Sequence, residues 1–103
     1  MTTTITTSEL IDYIASIEVL ISNVKINMSQ AEDINSTLIR HQRALSNVID
    51  AKVSLSNGNV SDCKAYLNIC ADIIYGLGDE LHYGFNNTYR SVGRMCFVAA
   101  QAL

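Results

Sequence analysis

From Leu10 onward the apolar residues return at alternating steps of four and three: Leu10, Ile14, Ile17, Ile21, Val24, Met28 and Ala31. Seven in succession form a heptad seam, the pattern of a helix that packs at a shallow angle along a neighbour. The start of this long first helix is signalled by Thr6-Thr7-Ser8-Glu9, in which Thr6 and Glu9 have capping-box spacing. Residues 1–7 read as a flexible N-terminal segment. A second capping-box spacing, Ser29 to Glu32, predicts a break or kink near Asn27–Ser29. The alternative is one continuous helix through residues 8–55.

The second helical stretch places Ile34, Leu38, His41, Leu45, Val48, Ile49 and Leu55 on one face, with Arg40, Arg43, Asn47 and Asp50 opposite. It ends at Ser56-Asn57-Gly58-Asn59, where Gly58 suits the left-handed position after a helix. Ser61 reads as the cap of a third helix, with Asp62 favourably placed in its first turn. Cys63, Tyr66, Ile69, Cys70, Ile73, Leu77 and Leu81 form its apolar face, and Gly76 and Gly78 mark an end, a kink or a close contact. Asn86-Asn87-Thr88 predicts a break before a last helix that turns Tyr89, Val92, Cys96, Ala100 and Leu103 inward. No proline interrupts any of this. The expected fold is all-α: one domain, an antiparallel bundle of about four helices with short loops.

Composition narrows the function. Of 103 residues, 49% are hydrophobic and 17% charged, against a usual ~25% charged. Such a chain folds, and it has too few charges to cover every helix face. The net charge is −3, and the seven basic residues are scattered. Nucleic-acid binding, which needs a concentrated positive field, is therefore not expected. The run from Leu10 to Met28 contains Asp12, Glu18, Asn23 and Lys25, which argues against a membrane span. The opening threonines lack the basic and apolar regions of a signal peptide. With three cysteines at dispersed helical positions, the expectation is a reducing cytoplasm and free thiols.

Candidate chemistry is sparse. His41 falls within an apolar face; a pH switch or base is one reading, a hydrogen-bonded structural histidine the preferred one. Cys63, Cys70, Cys96, His41 and His82 lack the paired spacing that pre-positions metal ligands. Asp79, Glu80 and His82 do not share a helix face, and no phosphate loop or nucleophile elbow occurs. No catalysis, cofactor, metal or small-molecule substrate is expected.

Two features point instead to binding. Ala15, Val19 and Ile26 form a second apolar stripe on the first helix, nearly opposite the seam. It is either buried because that helix is central, or it docks a second copy or a partner. The segment Tyr75–Phe97 holds five of the seven aromatics and four of the five glycines, a composition that makes anchors and shallow pockets. Tyr75 and His82 read as exposed partner contacts, and Arg90 and Arg94, one turn apart, as a fork for a carboxylate. Tyr89 and Phe97 are assigned to the core.

The stretch 48–74 resembles the helical hairpin of flagellin-type export chaperones and helical repeats. Its glycine turn and helical apolar spacing are what any tight αα-hairpin needs, so the resemblance implies the hairpin alone. The expected function is that of a small non-catalytic interaction protein, homodimeric or bound to a protein target. It would be an inhibitor, immunity protein or antagonist of a larger protein, of the kind phages encode. The alternatives are a dedicated export-type chaperone, or a nucleic-acid-associated regulator whose basic surface forms on dimerisation.

Overall fold

The computed structural model describes the backbone of residues 6–23, 34–80 and 85–103 and, outside 34–35, 78–80 and 85–88, their side chains. Four helices occupy them: α1 (Thr7–Asn23), α2 (Ile34–Ser56), α3 (Val60–Glu80) and α4 (Phe85–Gln101). Each packs against its neighbours in chain order, and α4 closes the ring onto α1. This is an antiparallel four-helix bundle, 45 × 27 × 19 Å. Because α1 and α2 pack against one another, residues 8–55 are not one uninterrupted helix.

α1 starts where its cap requires. Thr6 Oγ1 accepts the Glu9 backbone N–H at 3.1 Å, and the Glu9 carboxylate accepts the Thr6 backbone N–H in return. Thr6 and Thr7, inside the segment expected to be flexible, are thus held by the cap and the first turn of α1; residues 1–5 lie outside the described residues. Leu10, Ile14, Ile17 and Ile21 are buried, each stabilising the fold by about 1.5–3 kcal/mol. The remaining seam positions, Val24, Met28 and Ala31, and the second capping box lie outside the described residues.

α2 and α3 are rotated relative to the sequence expectation. In α2 the buried positions are Thr37, Ala44, Val48, Ala51 and Leu55, while Ile49 is 37% exposed. In α3 the expected Cys63, Cys70 and Leu77 are buried, but Leu67, Ala71 and Ile74 join them while Ile69 is 45% exposed. Small alanines face inward because they let helix backbones approach closely. The isoleucines they displace stay at the surface.

The α2–α3 turn is a Schellman motif. Asn59 N–H reaches Ser54 C=O at 2.8 Å and Gly58 N–H reaches Leu55 C=O at 3.1 Å. Gly58 has φ +79° there, a conformation that a Cβ penalises. Asn59, rather than Ser61, precedes the first residue of α3, and its side chain donates to Asp62 at 2.7 Å. α3 runs unbroken through Gly76 and Gly78, and Asn86–Thr88 lie inside α4 rather than before it.

Candidate functional site

Three of the four residues read as partner contacts come together. Tyr75 of α3 and Arg90 and Arg94 of α4 line one cleft of about 620 Å³, with Tyr13 of α1 and with Ser91, Met95 and Val98. Tyr13 and Val98 also border a smaller apolar hollow of about 190 Å³, completed by Glu9, Leu10, Ala99 and Ala102. The two depressions run together along the outer side of α1 and α4. His82, the fourth predicted contact, lies outside the described residues.

α4 builds this surface from two arginines and a valine set one turn apart. Arg90, Arg94 and Val98 recur every four residues and are exposed, whereas Tyr89, Val92, Gly93, Cys96, Ala99 and Ala100 face the core. Tyr75 is half-buried rather than exposed. Its ring lies over Gly93, where a Cβ would meet ring atoms at 3.1 Å, so the glycine makes room for the aromatic. Phe97, assigned to the core by sequence, is 44% exposed and packs its ring 6.2 Å from that of Tyr75. Burial pushes the Tyr13 phenol up from its ordinary pKa, with the nearby Cys96 adding to the effect. It stays neutral at physiological pH.

Sequence reasoning missed Tyr13, Met95 and Val98. Nothing local in the sequence places α1 against α4. The other predicted interface stripe is divided. Val19 is 56% exposed and Ala15 half-buried, so a helix buried on two sides is excluded at Val19; Ile26 lies outside the described residues. Val19, Ala15 and Leu20 line a shallow hollow with Asp12 and Ser16.

The interior offers little chemistry. His41 Nδ1 lies 2.9 Å from the hydroxyl of Tyr89, bridging α2 to α4. Burial lowers the imidazole pKa and raises the Tyr89 phenol to about 12, so near neutrality both partners are uncharged. Cys70 and Cys96, far apart in sequence, share a hydrogen bond with their sulfurs 3.6 Å apart. That bond and burial keep the Cys70 thiol protonated, and burial alone does so at Cys63. Neither is a ready nucleophile. Among the described residues no group of three or more His, Cys, Asp or Glu is placed to hold a metal, and no buried side-chain polar atom lacks a partner. No described helix is long and apolar enough to cross a membrane.

No protein-family model matches this chain, and neither a characterised protein nor a solved structure does so.

Proposed function

We propose that this chain is a small non-catalytic protein–protein interaction module, working in the cytoplasm as an inhibitor or antagonist of a larger protein. Its outer α1–α4 side is where it engages other protein chains. The observation that carries this reading is the convergence of Tyr75, Arg90 and Arg94 with Tyr13, Met95 and Val98 on one surface. Aromatic, methionine and arginine side chains together are the composition enriched in protein interfaces. An interior whose His41 and Tyr89 satisfy each other, and whose Cys63 and Cys70 thiols are held protonated, supports binding over catalysis.

The test is quantitative affinity capture in the native host with tagged wild type, Arg94→Glu and Lys64→Glu, the last on the exposed side of α3. A protein captured near stoichiometrically by wild type and Lys64→Glu but lost with Arg94→Glu is expected. Equal capture by all three, or none by wild type, contradicts the proposal.

A further inference from the structure

Cys70 of α3 and Cys96 of α4 stand 26 positions apart in the chain, and the bundle brings their sulfurs together. The Cys96 thiol donates to the Cys70 sulfur at 3.6 Å, and both side chains are fully buried. Small buried neighbours, Ala71 on α3 and Gly93, Ala99 and Ala100 on α4, let the two backbones approach closely there. A disulfide needs its sulfurs at ~2.05 Å, about 1.5 Å nearer than they lie, which modest rotation of both side chains supplies. Cys63 stands apart. It lies two turns from Cys70 on the same helix, about 10 Å along it, beyond the ~7 Å between α-carbons that a disulfide can span. Cys96, level with Cys70, is as far from it.

We infer that Cys70 and Cys96 are the site of a reversible disulfide that forms when a peroxide reaches the bundle and fastens α3 to α4. The chemistry takes two steps. Hydrogen peroxide first oxidises one thiol to a sulfenic acid and leaves one water. The second thiol then attacks the sulfenic sulfur. The S–S bond forms as the S–O bond breaks, and the hydroxyl departs with the attacking thiol's proton as a second water. Two electrons have left the sulfur pair and reduced one peroxide. The inference is independent of what the α1–α4 side binds.

Burial makes the first step slow, because peroxide enters only as the bundle opens and a protonated thiol is a poor nucleophile. The second step joins sulfurs that the fold already holds in contact, so it outruns capture by an external thiol. Slow entry followed by fast closure yields one disulfide rather than a mixture of oxidised thiols. The bond ties off a loop that contains the whole α3–α4 connection, and it stabilises chiefly by restricting the unfolded chain. It also fixes the two helices that present Tyr75 and Arg94 to the cleft, so a chain that meets oxidant is locked in its folded form until it is reduced.

The test exposes the native full chain to a dose of hydrogen peroxide that oxidises the same chain when unfolded in urea. After quenching with catalase, the protein is denatured, labelled with N-ethylmaleimide, and followed by intact mass and peptide mapping. Wild type is expected to take up one maleimide, at Cys63, instead of three, with two hydrogens lost and Cys70 joined to Cys96. Its thermal midpoint should rise by roughly 10 °C, and dithiothreitol should reverse both changes. Cys63→Ala should form the same bond and take up no maleimide. Three maleimides on wild type, a bond that includes Cys63, or sulfinic and sulfonic acids in place of the bond would overturn the inference. So would a cross-linked chain no more stable than the reduced one.

Discussion

Among the described residues no buried side-chain polar atom lacks a partner, and the His41–Tyr89 pair has a readable pH signature. Burial lowers the folded-state pKa of His41, so the unfolded chain binds a proton more readily than the folded one. Stability from this group is thus complete above the unfolded value of about 6.5 and declines as pH falls through it toward the folded value. Denaturant titrations between pH 7.5 and 5 should record that decline in wild type and a flatter profile in His41→Gln. Equal slopes would remove the histidine from the account. At fixed neutral pH, Tyr89→Phe deletes one hydrogen bond and should cost about 0.5–1.5 kcal/mol. The thiols give an independent check on the core. Cys63, Cys70 and Cys96 are free and buried, so iodoacetamide should modify them only as fast as the domain opens. Mass spectra with one thiol alkylated in the native protein within minutes would place that residue at the surface.

At the scale of the helix, backbone requirements separate positions that look alike in sequence. Gly58→Ala forces a Cβ onto a φ of +79° and should destabilise by about 1 kcal/mol. At Gly76, inside α3, an added Cβ meets nothing within 4 Å, so Gly76→Ala should stabilise by up to about 1 kcal/mol through helix propensity. Gly93→Ala gains the same propensity but drives a methyl into Tyr75, and should show no net gain. Urea midpoints of the three variants decide this; a stabilised Gly93→Ala would mean that the tyrosine does not lie over α4. The α1 seam was legible because its inward positions are all large and aliphatic. The Gly58 turn was legible because Asn-Gly-Asn has few other uses. The orientation of α2 and α3 was not, since hydrophobicity ranks Ile49 and Ile69 above Ala44, Ala51 and Ala71. Close helix approach reverses that order, and it depends on neighbours that a single helix cannot reveal. The start of α3 was misplaced for a related reason: Asn59 and Ser61 both cap well, and the geometry of the Gly58 turn chooses Asn59; the break expected at Asn86–Thr88 falls inside α4.

The bundle as a whole brings together what no helix carries alone. Tyr75, Arg90 and Arg94 stand out in the sequence as candidate contacts by their local composition. Their union with Tyr13, Met95 and Val98 depends on α4 closing the ring between α3 and α1. The second apolar stripe of α1 likewise resolves only in the assembled molecule. Val19 stands 56% exposed, so Val19→Glu should alter stability by no more than about 0.5 kcal/mol. Thermal unfolding of that variant at a much lower temperature would return the stripe to the core. The central claim is that this molecule acts by binding protein along its α1–α4 side. Site-specific photo-crosslinking in the native host tests it most directly, with a photoreactive phenylalanine analogue replacing exposed Ser91 on that side or exposed Asn68 on α3. The account predicts a discrete protein adduct, whether to a second copy or to a larger partner, from position 91 and none from position 68. Adducts of equal yield from both positions, or from position 68 alone, would contradict it.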